Sequence, residues 1–221
     1  MTVDSSGDHS TSIRKTSGRR RVAYSIAAGA AVAGVSTDAS AAIVYSGPKN
    51  ISIGSGFSQA IDINGDAQND VTFKNYIFGG GPYQGGTVNF APGKFVGFSS
   101  GNAYITALTA GAPISSSTLG SSFFGSMAYG ANNPNAQFNN ATDKYVGLSF
   151  PAGPNTYYGW VRVDVTNATN HFLIKDWAYE SVPGAGILAG AIPEPGTLGL
   201  MAAGALGVTA LRRKRRAVEQ A

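Results

Sequence analysis

Alternating oxygen-bearing side chains between residues 62 and 70 are suited to binding a metal ion. This segment reads DINGDAQND, with side-chain oxygens at loop positions 1, 3, 5 and 9. A hard cation such as Ca²⁺ takes oxygen ligands from a compact loop, and position 7 usually supplies a backbone carbonyl. The sequence therefore predicts a structural Ca²⁺ site built from Asp62, Asn64, Asp66, Gln68 and Asp70.

The same segment resembles the Asp-rich Ca²⁺ loops that join β-strands in integrin-type repeats. It departs from the EF-hand pattern, because glycine stands at loop position 4 (Gly65) and Phe73 replaces the glutamate of position 12. The alternative is a polar turn without metal, in which the Asp and Asn side chains cap the backbone. Both interpretations place the segment in a loop between two strands.

Two tryptophans in the last third of the chain are the candidate ligand-binding residues. If Trp160 and Trp177 lie side by side on an exposed sheet face, they form a platform on which sugar rings can stack. The alternative is that both pack under loops or at the rim of a sheet. The platform would make the chain a carbohydrate-binding module.

Side chains suited to catalysis are sparse. The chain has no cysteine, which excludes disulfides, thiolate metal sites and a cysteine nucleophile. It has only two histidines. Asp164, Asp176 and Glu180 are candidates for the carboxylate pair of a glycosidase. Acids this isolated more often form ion pairs, for instance Arg162 with Asp164 or Asp176 across a hairpin. We expect no enzymatic activity, and a glycan-active enzyme is the weakest alternative.

The basic charge lies mostly at the two ends of the chain. Overall, 16 Lys and Arg residues oppose 12 Asp and Glu residues, a net charge of +4. Ten of those 16 basic residues lie before residue 22 or within residues 212–216, whereas residues 42–195 contain six basic and eight acidic residues. A nucleic-acid-binding domain would carry its positive charge on the folded part, so we expect no nucleic-acid partner.

Residues 1–41 have the organisation of a secretory signal peptide. Three arginines at 19–21 precede an uncharged run over 22–35, which small residues follow. This run has 14 residues, fewer than the roughly 20 that a membrane-spanning helix needs. The sequence Ala39-Ser40-Ala41 fits the A-x-A cleavage pattern, so we expect signal peptidase to cut between Ala41 and Ala42.

The C-terminal residues combine three parts that would hold the chain transiently in a membrane. Pro193, Glu194 and Pro195 bar a helix and keep the chain extended. The apolar residues 198–211 follow and would enter the bilayer as a helix. Five basic residues then resist translocation: Arg212, Arg213, Lys214, Arg215 and Arg216.

This order of parts closely resembles the PEP-CTERM sorting signal, which joins a Pro-Glu-Pro motif, a transmembrane segment and an Arg-rich cluster. The resemblance implies cleavage near Pro193-Glu194-Pro195 by exosortase, a membrane-embedded protease. It also implies a bacterium of the Gram-negative type that links such proteins to extracellular polysaccharide. An ordinary single-pass anchor is the alternative. Because such tails are attached to many unrelated domains, the resemblance indicates a destination and not an activity.

The segment between the two ends predicts an all-β fold. Gly, Asn and Ser account for 50 of residues 42–195, and these residues disfavour helices. In the clearest strand, Val161, Val163 and Val165 would face the core, and residues 172–179 would pair with it as a hairpin. Residues 111–122 and 132–140 are predicted loops. Ten strands are predicted: 43–46, 57–63, 71–78, 87–90, 94–98, 103–108, 123–129, 145–150, 158–165 and 172–179.

Together these features predict one β-sandwich domain, jelly-roll or lectin-like, over residues 42–192. A signal peptide precedes it, and a transmembrane sorting segment over 193–216 follows it. We expect an exported protein that is cut at both ends and stays at the cell surface or in the extracellular matrix. Its expected role is structural or adhesive in association with exopolysaccharide, and carbohydrate binding through exposed aromatic residues is the alternative.

Overall fold

The strands of this protein form two six-stranded sheets and one two-stranded sheet. The computed structural model describes residues 42–130 and 133–193. Within them lie fourteen strands and one 3₁₀ turn, Asn167–Thr169. The all-β class predicted from the sequence is confirmed.

The first sheet, sheet I, contains the longest strands and is antiparallel throughout. Its strands are β1 (Ile43–Tyr45), β2 (Ile51–Ser52), β6 (Lys94–Phe95), β11 (Asn140–Ala152), β12 (Asn155–Thr166) and β13 (His171–Glu180). The strand order is β1-β13-β12-β11-β6, and β2 also pairs with β13.

The second sheet, sheet II, has six strands: β3 (Phe57–Ile61), β4 (Val71–Phe78), β5 (Gly81–Val88), β7 (Gly97–Ser100), β8 (Asn102–Ile105) and β10 (Phe124–Tyr129). Their order in the sheet is β3-β4-β5-β10-β8-β7. All pairs are antiparallel except β10 with β8. A separate two-stranded sheet joins β9 (Pro113–Ile114) to β14 (Ile187–Leu188).

The β12–β13 hairpin confirms the strand pair expected from the valine alternation. Val161, Val163 and Val165 are buried in the core, as predicted. Val163 pairs with Ile174, but Arg162 pairs with Asp176, so Lys175 is an extra residue on β13. A bulge of this kind changes the register by one residue, and the side chains beyond it move to the opposite face of the sheet.

One hydrophobic core is shared by sheets I and II. Phe73 of β4 and Phe172 of β13 are both fully buried in it, with ring centroids 5.7 Å apart in an edge-to-face arrangement. A second cluster, which includes Trp160, Ile114 and Ile187, covers the other face of sheet I. The central strands of sheet I are therefore buried on both faces, which accounts for their apolar character.

Several segments differ from the sequence prediction, among them β5 and the predicted loop 111–122. Strand β5 begins at Gly81, six residues before the predicted run 87–90. Glycine occurs within this strand because a neighbouring side chain leaves no room for a Cβ atom. A Cβ on Gly86 would lie 2.9 Å from Cζ of Phe95. The predicted loop 111–122 contains β9, which is too short to give an alternation signal.

No helix within residues 42–130 and 133–193 is long and apolar enough to cross a membrane. The predicted signal peptide and the predicted transmembrane segment lie outside the described residues. The jelly-roll or lectin-like class of the domain stays a prediction.

Candidate functional site

The predicted Ca²⁺ loop joins β3 to β4 and folds around its own backbone. The Asp62 carboxylate accepts a hydrogen bond from the Gly65 N–H at 2.7 Å. Asp66 accepts one from the Gln68 N–H at 2.8 Å, and the Asn64 side-chain oxygen accepts one from the Asp66 N–H at 3.1 Å. These are the contacts of a polar turn, in which Asp and Asn side chains satisfy nearby N–H groups.

Asp70 is the buried member of the predicted ligand set. It is 2% exposed and accepts a hydrogen bond from the Ile63 N–H at 2.7 Å. Burial, together with the charges of Asp66 and Asp62, raises the pKa of Asp70 to about 6. No three acidic, histidine or cysteine side chains of the described residues converge on a common metal position. Calcium binding therefore stays a prediction.

Trp160 does not form part of an exposed platform, which corrects the sequence expectation. It is 1% exposed, and its indole Nε1 donates a hydrogen bond to the Ala191 carbonyl at 3.1 Å. The Tyr145 ring packs edge-on against it at 5.3 Å between centroids. Trp160 thus lies beneath the C-terminal segment, as the alternative interpretation holds.

Trp177 lies on the opposite face of sheet I. It pairs with Val161, and it packs against the core that sheets I and II share. Lys49 Nζ lies 5.5 Å from the centre of its ring, a cation–π contact. Without the bulge at Lys175, a regular hairpin would pair Trp177 with Trp160. The bulge is therefore the physical reason why the two indoles do not form a platform.

The candidate glycosidase carboxylates are engaged in contacts within the fold. Asp176 is 1% exposed. Its carboxylate accepts hydrogen bonds from Nε (2.9 Å) and Nη2 of Arg162, and from the Tyr45 hydroxyl at 2.8 Å. This confirms the Arg162–Asp176 pair across the hairpin. Burial and the Asp176 carboxylate raise the pKa of Tyr45, so the phenol stays a donor. Asp164 instead pairs with Lys175 at 3.2 Å.

Asp143 links these two ion pairs at the surface. Lys175 Nζ lies 2.6 Å from its Oδ1, and Arg162 Nη1 lies 3.4 Å from the same atom. The hydrogen bond from Lys175 lowers the pKa of Asp143. Exposed pairs of this kind contribute little to the free energy of unfolding.

An aromatic groove lies on the outer face of sheet II, away from the shared core. Tyr83 of β5 pairs with Tyr129 of β10, and their ring centroids are 5.9 Å apart. Phe78 packs on Tyr83 at 5.3 Å. The groove has a volume of about 250 Å³, and it is lined by Phe78, Tyr83, Asn102, Ala103, Tyr104, Phe124, Ser126, Tyr129 and Asn133.

Polar groups stand among these aromatic rings. The Asn133 side-chain amide donates a hydrogen bond to the Tyr104 hydroxyl at 3.3 Å, which lowers the pKa of Tyr104. The buried Ser126 hydroxyl has no hydrogen-bond partner in the described part of the chain. Apolar rings with a few polar groups are typical of ligand sites, so this groove is the better candidate for binding.

Sequence reasoning missed the aromatic groove because four strands build it. Tyr83 lies in the part of β5 that was not predicted, and its cross-strand partner Tyr129 is far away in sequence. The alternation of Tyr76 and Phe78 at the end of β4 was the one local signal that pointed to this face.

The predicted processing sites lie where the described chain begins and ends. The Ala42 N–H donates a hydrogen bond to Glu180 at 3.0 Å, and Ala41 lies outside the described residues. Pro193 is the last described residue. The remaining sorting residues lie beyond it: Glu194, Pro195, Arg212, Arg213, Lys214, Arg215 and Arg216.

Comparison with known proteins identifies the C-terminal segment. A family model described as the PEP-CTERM protein-sorting motif matches residues 191–216, which confirms the resemblance seen in the sequence. Searches of curated proteins and of solved structures find no match to the chain. The matched segment begins at Ala191, the residue that Trp160 binds.

Proposed function

Because the chain carries a PEP-CTERM protein-sorting motif at residues 191–216, we propose that it is a non-enzymatic protein of the cell surface or extracellular matrix. The motif implies export, transient membrane anchoring and processing by exosortase. In this proposal, signal peptidase removes residues 1–41 and exosortase cuts near Pro193. The delivered domain is a single β-sandwich with a structural or adhesive role in association with exopolysaccharide.

The engagement of the acidic side chains is the observation that supports a non-enzymatic role. A catalytic acid or base needs a hydrogen-bonding position that faces a substrate. Each described Asp or Glu instead holds a backbone N–H group, a cation or a hydroxyl of the fold. These residues are Asp62, Asp66, Asp70, Asp143, Asp164, Asp176 and Glu180.

The destination is tested by replacing the Pro-Glu-Pro motif with alanines (Pro193→Ala, Glu194→Ala, Pro195→Ala). We expect the wild-type chain in the surface and matrix fractions, and we expect the variant to accumulate uncut in the inner membrane. The measurement is cell fractionation with mass spectrometry of the C-terminus, in strains with and without exosortase.

A matched control changes two exposed serines of the described domain, Ser116→Ala and Ser117→Ala, and should be sorted like the wild type. If the Pro-Glu-Pro variant reaches the matrix as efficiently as this control, exosortase does not act at the motif. In that case the proposed processing by exosortase is wrong, whereas a wild-type chain that is missing from both the surface and matrix fractions would contradict the proposed destination.

Carbohydrate binding is the second candidate function, and the aromatic groove favours it. Tyr83, Tyr129 and Phe78 present ring faces and edges on one surface of sheet II. Aromatic rings bind the apolar faces of sugars, and the unpartnered Ser126 hydroxyl and the Asn133 amide supply polar contacts. This candidate does not use Trp160, which is buried.

The groove is tested by binding of the exported protein to exopolysaccharide purified from its host. Replacing both tyrosines (Tyr83→Ala, Tyr129→Ala) should weaken binding by about tenfold or more, since the loss of one stacking contact is worth roughly 1 kcal/mol. Phe57→Ala is the control, because Phe57 is 69% exposed on β3 and does not line the groove. Absence of binding by the wild type, or equal losses in both variants, would rule out the groove.

A further inference from the structure

The backbone nitrogen of Ala42 lies against a carboxylate. It is 3.0 Å from Oε1 of Glu180, the last residue of β13. The neighbouring backbone fixes this geometry, because the Ser181 N–H donates to the Ala42 carbonyl at 3.1 Å. Strand β1 then pairs with β13 from Ile43 onward. Ala42 is therefore held at both its nitrogen and its carbonyl oxygen.

Glu180 is a buried carboxylate that receives only neutral donors in the described structure. It is 3% exposed, and Oε1 also accepts the Val182 N–H at 3.0 Å. None of the ion pairs within residues 42–130 and 133–193 includes Glu180. A buried charge is costly unless a charge of opposite sign is close to it, and Asp176, the other buried acid of β13, has Arg162.

Removal of the predicted signal peptide would create the missing cation at this position. Hydrolysis adds water across the Ala41–Ala42 peptide bond, so the C–N bond breaks and Ala41 leaves with a carboxylate. The Ala42 nitrogen becomes a primary amine, which takes up a proton at neutral pH because the pKa of an α-amino group is about 8. The amide that donated one hydrogen bond becomes an ammonium with three donors.

We propose that Glu180 is the docking site for the α-ammonium group of Ala42, so that removal of the signal peptide converts a neutral hydrogen bond into a partly buried ion pair. Maturation then stabilises the edge of sheet I where β1 meets β13. This inference rests on the proposed cleavage between Ala41 and Ala42, and it adds a function for Glu180 that the sorting motif does not assign.

The test compares two N-termini in the exported full chain. The first is the native terminus at Ala42. The second carries Gly-Ser-Gly inserted between Ala41 and Ala42, which keeps the cleavage pattern and moves the ammonium away. Each is made with Glu180 and with Glu180→Gln. N-terminal sequencing establishes where each mature chain begins, and thermal unfolding gives its Tm.

In the native background, Glu180→Gln should lower Tm by about 5 °C, because the substitution removes a hydrogen bond between two charged groups. In the extended background, the loss should be less than half as large. Equal losses in both backgrounds would show that the ammonium has no special role. A mature chain that begins at another residue would also overturn the inference, while leaving exosortase sorting intact.

Reactivity of the N-terminal amine gives a second readout that needs no substitution at Glu180. An ion pair holds the amine protonated, so acylation at neutral pH should be roughly tenfold slower for the native terminus than for the extended one. Equal acylation rates would contradict docking even if Glu180→Gln does not fold. Failure of the chain to be exported would instead contradict the proposed function.

Discussion

At the scale of single residues, Asp176 shows how this low-charge domain uses its few ionic groups. Arg162 binds it through two nitrogens and Tyr45 donates its hydroxyl, so all the contacts of a buried carboxylate come from strands of sheet I. Bidentate binding by arginine is both strong and orientationally specific. Asp176 therefore holds β1, β12 and β13 in register.

Replacing Asp176 with asparagine should destabilise the domain by about 2 kcal/mol. The variant keeps the shape but leaves Arg162, whose side chain is 31% exposed, without its buried partner. Asp143→Asn is the control, since Asp143 is half-exposed and should cost less than about 1 kcal/mol. The measurement is urea-induced unfolding, and similar losses for the two variants would contradict a special role for the buried pair.

At the scale of elements, the β12–β13 hairpin shows what could and could not be predicted from the sequence. The alternation of Val161, Val163 and Val165 correctly predicted the strand, its buried face and its partner. The bulge could not be predicted, because no residue type near Lys175 marks an extra position. A register error of one residue was enough to place Trp177 on the wrong face.

The bulge has its own partners in the structure. The Lys175 carbonyl accepts hydrogen bonds from the N–H groups of Lys49 (2.7 Å) and Asn50 (3.1 Å), which lie in the connection between β1 and β2. Bulges are structural features with specific roles. This bulge attaches the connection between β1 and β2 to the sheet, and the Lys175 side chain forms ion pairs with Asp143 and Asp164.

Deleting Lys175 should destabilise the domain more than removing its side chain alone. The deletion closes the bulge and leaves Asp176 opposite Arg162, but it removes the carbonyl that accepts two N–H groups of the connection between β1 and β2. Two lost backbone hydrogen bonds are worth about 2 kcal/mol. Lys175→Ala, which keeps the backbone, should cost less than about 1 kcal/mol. Urea-induced unfolding compares the two variants, and equal losses would contradict a role for the bulge backbone.

The loop between β3 and β4 carries the calcium prediction. If Ca²⁺ binds there, saturating Ca²⁺ should raise Tm by several degrees, since a ligand at a hundredfold excess over its Kd stabilises a protein by about 2.7 kcal/mol. The double variant Asp62→Ala, Asp66→Ala should lose this response, and Asp143→Ala, outside the loop, should keep it. A wild-type Tm that does not depend on Ca²⁺ would show that the segment is only a polar turn.

Elements without an alternating pattern were the least predictable. The glycines of β5 indicate a turn when read locally, yet Gly86 is required where the strand passes close to Phe95. The aromatic groove depends on that same strand, so missing β5 also hid the groove. By contrast, the sorting segment was predicted from sequence alone because its parts act in order along the chain and need no tertiary contacts.

At the scale of the whole molecule, sheet I receives both ends of the described chain. Glu180 of β13 binds Ala42, and Trp160 of β12 binds Ala191. Trp160 pairs with Ala178, two residues from Glu180, so the two attachment points lie on neighbouring strands. The chain therefore leaves the domain toward its sorting motif from the sheet that also holds the predicted mature N-terminus.

Trp160→Phe should loosen the C-terminal segment without unfolding the domain. The variant keeps an aromatic ring but loses the hydrogen bond to Ala191, at a cost of about 1 kcal/mol. We expect faster protease cleavage at residues 187–193, measured by limited proteolysis and mass spectrometry. Trp177→Phe, on the other face of sheet I, is the control. Equal cleavage rates would indicate that Trp160 does not hold this segment.

The position of Trp160 also determines how the domain would carry mechanical load. If the domain is tethered at its C-terminal end, a pulling force acts on the chain at Ala191. The first contacts to bear this force are the hydrogen bond from Trp160 to Ala191 and the two residue pairs between β9 and β14. The eight-pair β12–β13 hairpin is loaded only afterwards. Moderate tension would therefore lengthen the tether by releasing residues 187–191, while the shared core of sheets I and II stays intact.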